Sequence, residues 1–374
     1  MKKVLLICVT SQNAITFRKK LIERLKNSGC TVSLIAFDDA YKNEIEKLGV
    51  DFHCINDSNR SINPLRILTL EKKYRKIIEM IAPDTVSTFM LKPNVFGARA
   101  AVKAGIQNVY AMVEGAGDIF VNNSLKWKMI RTVVCHLYRS SMKRVKKVFF
   151  LNEDDRELFL EKKLVTHDQT ELIHGIGVDL DFFSCRPIQK QGSFLMIARM
   201  LKTKGVLDYC EAARKVKQKY PSASFRYLGA EGTVTLEDIK TYIDDGSIEY
   251  LGTTRDVRPY LEESDVFVLP SYYREGLSMS IMEAASMGRA TLTYDNVGCR
   301  DAVLDAYNGF LLPLWDTDAL AEKMIWCIEH PEEIKRMGDN SRRFAEEHFD
   351  QKKINQKVCS VIGVDVKEET VVAN

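Results

Sequence analysis

The chain has 374 residues, 45 % hydrophobic and 28 % charged, with a formal net charge of +3, enough for two domains that each bury a core. Its nine cysteines are scattered without a Cys-x-x-Cys pair, and no apolar stretch approaches the length of a membrane span, which argues against a disulfide framework, a cysteine-rich metal site and a spanning helix. Residues 1–150 carry 26 Lys/Arg against 12 Asp/Glu and the remainder 28 against 39, so the first half calls for an anionic partner.

In chain order, Val4-Leu-Leu-Ile-Cys-Val9 is too short for a signal peptide and reads as a first strand. A helix follows from about residue 16 to 27, then strands near 31–37, 51–54, 85–89, 108–112 and 148–151. Such alternation predicts a parallel sheet with helices on both faces. Before the last of these strands, residues 125–147 hold Lys126, Lys128, Arg131, Arg139, Lys143, Arg144, Lys146 and Lys147 with no acidic residue between them. Trp127, Ile130, Val134, Leu137 and Tyr138 recur there at helical spacing. This is the composition of an interfacial helix on an anionic membrane; the competing reading is a core-packed helix with a solvated basic face. No helix-turn-helix, zinc or RNA-binding aromatic signature supports nucleic acid.

Glycines and Arg186-Pro187 break the periodicity over residues 175–192 and predict a linker between a domain at 1–180 and a second at 190–345. The second domain repeats the alternation, with strands at 194–198, 225–228, 248–251, 266–269, 290–294 and 309–312. Residues 331–360 read as two amphipathic helices, the first opened by Pro331. Residues 364–374 show no burial pattern.

Two strand ends carry chemistry. After Phe194-Leu-Met-Ile-Ala198 come Arg199, Lys204 and Gly205, a bidentate fork and a mobile point charge that together can neutralise a diphosphate. After Val266-Phe-Val-Leu269 come Glu275 and Gly276 in a loop and Glu283 in the following helix. The first amides of that helix point out unpaired and, with its dipole, favour an anion. Backbone of Gly276, Leu277, Ser278 and Met279 would approach the ligand. Glu283 can accept hydrogen bonds from two vicinal hydroxyls, as a ribose presents, while Glu275 faces the group beyond the phosphates.

Together with Gly177-Val178-Asp179, Phe182-Phe183, Gly252-Thr-Thr-Arg-Asp256, Val268-Leu-Pro-Ser271 and Gly298-Cys-Arg-Asp301, these residues resemble the retaining glycosyltransferases of family 4. Ser61-Ile-Asn-Pro-Leu65, Lys92-Pro-Asn94 and Val113-Glu-Gly-Ala-Gly117 narrow the resemblance to bacterial enzymes that extend undecaprenyl-diphosphate-linked sugars. Within these, it is nearest to the α-1,3-N-acetylgalactosaminyltransferases of N-glycan and O-antigen assembly. The resemblance implies the α/β GT-B fold, two doubly wound Rossmann-like domains facing a central cleft, with the last helix, 346–362, returning to the N-terminal domain.

It further implies a UDP-sugar co-substrate, no other cofactor and no metal; Asp179-Leu-Asp181, the one Asp-x-Asp, lies in the linker and reads as structural. Arg199 and Lys204 match the residues that contact the diphosphate, Glu283 the ribose ligand and Glu275 the carboxylate near the donor sugar. Uracil recognition falls near Thr254 and Arg255. Many members have a histidine near the donor sugar where this chain has Glu114, which is assigned that place, with a structural ion pair as its alternative. Asn13, Arg18 and Lys92 are candidates for the acceptor diphosphate. Ser278 stands where many relatives have proline. Transfer of a hexose or N-acetylhexosamine to a polyprenyl-linked sugar at the inner face of the plasma membrane is the expected function. The alternatives are a soluble acceptor and a catalytically silent scaffold.

Overall fold

In the computed structural model, residues 1–56, 64–121, 124–188 and 191–365 are described. Residues 61–63 of the Ser61 motif, 189–190 of the predicted linker and 366–374 of the tail lie outside them. The chain divides into two units, residues 1–176 with 352–374, and residues 177–351.

The first unit begins with β1 (Lys3–Ile7), whose alternate side chains enter different cores: Leu5 and Ile7 pack on one face of the sheet, Val4 and Leu6 on the other. A strand buried on both faces must be apolar throughout, which is why this stretch shows no polar alternation. Then come α1 (Ser11–Asn27), β2 (Thr31–Ala36), α2 (Lys42–Lys47), β3 (Asp51–Cys54), α3 (Pro64–Ile81), β4 (Thr85–Phe89) and a π-helical turn, Pro93–Gly97, leading into α4 (Ala98–Lys103). β5 (Asn108–Val113), α5 (Asp118–Val121), α6 (Leu125–Met142), β6 (Lys147–Phe150), α7 (Glu153–Glu161) and β7 (Thr170–Leu172) complete it. The seven strands are all parallel, in the order β3-β2-β1-β4-β5-β6-β7.

Two expectations for this unit change. Helix α1 starts five residues earlier than its apolar period indicates, because Thr10 is its N-cap and accepts from the Asn13 amide at 3.1 Å. Residues 11–15, which that period leaves outside the helix, are therefore helical. In α6 the stripe taken as membrane-facing belongs to the core: Tyr138 is buried, Val134 and Leu137 pack against the same cluster, and Trp127 and Ile130 are half-buried. A different stripe, Leu125, Met129 and Val133, stands 77 %, 66 % and 59 % exposed at i, i+4 and i+8 on the solvent face.

The second unit holds β8 (Ser193–Ile197), α8 (Val206–Lys219), β9 (Ser224–Leu228), α9 (Leu236–Asp244), β10 (Glu249–Tyr250), α10 (Arg258–Glu262), β11 (Val266–Leu269), α11 (Met279–Ser286), β12 (Ala290–Tyr294), β13 (Gly309–Leu312), α12 (Thr317–Glu329) and α13 (Pro331–His348). Its six parallel strands run β10-β9-β8-β11-β12-β13. The chain leaves the first unit at Ile176 and re-enters at Lys352, where Val178 and Asp350 form a parallel bridge. There the Val178 amide donates to Phe349 O at 2.8 Å and the Gln351 amide to Val178 O at 3.1 Å. The last helix, α14 (Gln351–Val361), gives Ile354, Val358 and Cys359 to the core of the first unit; the returning segment starts after α13, not within it. Asp179 Oδ1 accepts from the Asp181 and Phe182 amides, each at 3.2 Å, a turn-closing role.

Candidate active site

In the second unit the carboxyl ends of β8 and β11, adjacent strands, bring together the residues singled out from sequence. Lys204 pairs with Glu275, both side chains mostly buried, and its ammonium lies 5.6 Å from the centre of the Tyr273 ring. Ser271 donates to the same Glu275 oxygen at 3.1 Å. Arg199 is exposed at the end of β8, and no side-chain hydrogen bond or ion pair engages it among the described residues. Beneath the pair, burial and then the charge of Glu275 push the Cys299 thiol up to about 12, keeping it an unreactive neutral group.

Helix α11 opens on Ser278, whose side chain makes no capping bond, so the first helical amides are not claimed by their cap. Gly276, Leu277 and Ser278 are buried, Met279 half-buried. Glu283 sits one turn into α11. Burial raises its carboxyl from the ordinary carboxylate range to about 8, and no side chain among the described residues pairs with it. Half-buried and without a side-chain partner, this carboxyl is poised to gain from hydroxyl donors. Thr254 and Arg255 are exposed in the loop after β10, at the far edge of the sheet.

Two glycines hold the loops at this spacing. Gly205, with φ of 72°, ends the turn after β8, and a Cβ there would lie 2.0 Å from the Pro270 carbonyl oxygen. Gly298, with φ of 82°, backs Glu275, and its Cβ would lie 2.5 Å from the Glu275 carbonyl oxygen. Gly298→Ala is expected to cost on the order of 2 kcal/mol or more, from the left-handed backbone and the backbone clash. Thermal unfolding checks this, and an unchanged Tm would show that the loop yields freely.

Sequence reasoning missed the braces of this loop. Asn296 donates to Tyr273 O at 2.9 Å and Ser271 O at 3.3 Å, and Asp301 accepts from the Gly298 amide at 3.0 Å. Gly298 and Asp301 stood in a quoted motif; Asn296 carries no local signal, because its task comes from β12 lying beside β11.

In the first unit, β1, β4 and β5 are neighbours, and their carboxyl ends bring Asn13, Lys92 and Glu114 to one edge of the sheet. Asn13 accepts from the Thr10 hydroxyl at 2.8 Å and donates to Met90 Sδ at 3.2 Å. Met90 holds φ of 70°, a strained position for a bulky residue. Lys92 lies 5.6 Å from the Phe37 ring centre. Arg18 departs from expectation: two turns into α1, it is 4 % exposed, sits 4.3 Å over Phe89 and pairs with Glu114. Burial lowers its pKa to about 10. It is thus a support for Glu114 and not an open cation for an acceptor diphosphate. The amino end of α1 is closed in turn by Asp38, which accepts from the Ser11 hydroxyl and amide.

Residues 191–330 match the family described as glycosyl transferases group 1, and residues 3–152 match glycosyl transferase 4-like. The chain is 29 % identical over 327 residues to the N,N'-diacetylbacillosaminyl-diphospho-undecaprenol alpha-1,3-N-acetylgalactosaminyltransferase of Campylobacter jejuni, covering 84 % of this chain and 86 % of that protein. It is 28 % identical over 271 residues to the UDP-Gal:alpha-D-GlcNAc-diphosphoundecaprenol alpha-1,3-galactosyltransferase of Escherichia coli, covering 67 % of each. In fold it matches the crystal structure of Anabaena HepE in complex with UDP and glucose, with TM-score 0.77 over 97 % of this chain and 99 % of that one at 18 % identity. Two Rossmann-like units, the GT-B architecture and both family matches lead to one conclusion: the chain joins a glycosyl transferase 4-like domain at residues 3–152 to a group 1 glycosyltransferase domain at residues 191–330, and is a glycosyltransferase enzyme.

Proposed function

We propose that this enzyme moves a hexose or N-acetylhexosamine, N-acetylgalactosamine being the first choice, from UDP to a polyprenyl-diphosphate-linked sugar with retention of anomeric configuration. The observation that carries the proposal is the Lys204–Glu275 pair beside exposed Arg199 and the α11 amides. Diphosphate binds to Arg199, Lys204 and those amides, ribose to Glu283, uracil to the loop of Thr254 and Arg255. Glu275 meets the donor sugar. The acceptor hydroxyl attacks from the face the diphosphate leaves; the new bond joins its oxygen to the anomeric carbon as the bond to phosphate breaks. Its proton passes to a phosphate oxygen, and UDP departs. Leaving-group charge is assigned to the two cations and the helix amides and not to a metal. Asn13 and Lys92 contact the acceptor diphosphate, and Glu114 is held by Arg18 in the ion pair that was its alternative reading. The two named relatives act on diphospho-undecaprenol sugars, which supports this acceptor class.

No helix among the described residues is long and apolar enough to cross a membrane. The enzyme meets its lipid acceptor through α6 at the inner face of the plasma membrane, where Leu125, Met129 and Val133 enter the interface among Lys126, Lys128, Lys143 and Arg144, all exposed. Changing the three apolar residues to serine is expected to weaken binding to phosphatidylglycerol vesicles about tenfold or more. The core stripe of α6 is untouched, so folding survives; cosedimentation equal to wild type would exclude this face.

The function is tested by UDP release from a panel of UDP-sugars, with and without a short-chain polyprenyl-diphosphate N-acetylhexosamine. Acceptor-dependent turnover with one donor, lost in Arg199→Ala and Glu283→Ala, supports the proposal. Turnover that ignores the lipid acceptor points to a soluble one, and UDP binding without turnover on any donor or acceptor points to a scaffold.

A further inference from the structure

The loop after β13 carries a feature that stability alone does not account for. Trp315 has φ of 60°, a left-handed conformation that costs a side-chain-bearing residue energy and that glycine adopts freely. The residue is 67 % exposed, so the strain is not offset by burial. The turn is fixed on both sides: the Asp316 amide donates to Pro313 O at 3.3 Å, Asp316 caps α12 through the Ala319 amide at 2.8 Å, and Leu314 packs on the core. The ring is held 6.0 Å from that of Tyr272, at an interplanar angle of 57°. Tyr272 is itself anchored by its amide on Thr203 O at 2.9 Å and precedes Tyr273, the ring beside the Lys204 ammonium.

Strand order gives the pair a direction. The loops after β10, β8, β11 and β13 follow one another across the same edge of the sheet. The donor assignment above sets uracil at β10, diphosphate at β8 and sugar at the Glu275 loop after β11. Trp315 lies further along that line, past the donor sugar and at the opposite edge from the base.

We propose that Trp315, with Tyr272, is a stacking platform for a pyranose ring of the saccharide acceptor, next to the reacting centre. A rigid, amphipathic ring standing in water offers a flat apolar face, which is what the C–H face of a sugar needs, at small cost in side-chain entropy. This rests on the donor assignment for its direction, so the test carries one arm that does not depend on turnover.

In the kinetic arm, Trp315→Gly is compared with wild type using UDP-N-acetylgalactosamine and short-chain polyprenyl-diphosphate N-acetylhexosamine. Expected are a rise in acceptor KM of about tenfold, a donor KM within twofold and a Tm equal or higher, since glycine relieves the backbone. An unchanged acceptor KM, or a rise confined to the donor, overturns the proposal. In the binding arm, tryptophan emission is followed while methyl N-acetylgalactosaminide is added to each protein. A saturable change present in wild type and absent from Trp315→Gly supports the platform even if no donor is turned over, in which case it is the transfer reaction that has failed. No saturable change in wild type overturns it. Loss of vesicle binding in Trp315→Gly with sugar binding intact would assign the ring to the membrane and also overturn it.

Discussion

Lys204→Ala is expected to lower kcat by about 10²–10³ with the KM for UDP-sugar changed by no more than a few-fold. Negative charge grows on the diphosphate as the anomeric bond breaks, and a cation held next to that oxygen stabilises the transition state more than the bound donor. Lys204 is placed for this by the turn that Gly205 closes against Pro270. Its pairing with Glu275 keeps the ammonium fixed and Glu275 oriented before donor arrives. Glu275 retains Ser271 when the lysine is removed, so the loop has a second anchor and the defect should lie in turnover, not folding. Steady-state rates with saturating donor, beside circular dichroism and Tm, separate the two. A KM defect with kcat preserved would make Lys204 a ground-state contact only.

The second large effect is a pH dependence at Glu283. Its folded pKa of about 8 lies above that of an unfolded glutamate, so the folded state prefers the protonated form. Below the unfolded value both states hold the proton and the group is neutral to stability. As pH rises from there to about 8, the unfolded chain releases the proton while the folded one retains it, and stability falls. The accumulated penalty at pH 8 is on the order of a few kcal/mol. Glu283→Gln should therefore unfold at a higher temperature than wild type at pH 8 and at nearly the same temperature at pH 4.5. A pair of hydroxyls donating to this carboxyl favours its ionised form, so UDP binding should release a proton, and affinity should climb between pH 6 and 8 and level off above. The same titration on Glu283→Gln supplies the contribution of the nucleotide's own phosphate, and only the difference belongs to Glu283. Parallel profiles would remove the ribose assignment. A residue that weakens its own fold while awaiting a ligand is the trade expected of a binding site.

The strands were legible because a parallel sheet covered on both faces needs unbroken β-branched and aliphatic runs, and both halves of the chain supply them. β7 was not, because Thr170–Leu172 is three half-buried residues without a pattern. The start of α1 was hidden because its cap, Thr10, lies outside the apolar period that marks the helix. In the second unit, the gathering of Arg199, Lys204, Glu275 and Glu283 at one edge of the sheet was readable, since each follows a strand at a short interval and strand ends meet in this topology. Asn296, Tyr273 and Trp315 were not, as their roles come from which strands are neighbours. Arg18 was misplaced for a related reason: spacing along a helix does not say which face meets the sheet, and here it turns inward to Glu114. The apolar residues of α6 show the same ambiguity, with one stripe serving the core and another left in water.

The bridge between Val178 and Asp350 joins the two points at which the chain passes between units. Residues 177–351 therefore enter and leave at a single place, like a cassette inserted into a host domain whose own ends are Ile176 and Lys352. Joining those two ends by a short glycine linker should yield the host alone, and residues 177–351 should fold as a free-standing module. Its termini, already hydrogen-bonded to one another, are a ready seam for circular permutation or for exchanging this module between related enzymes.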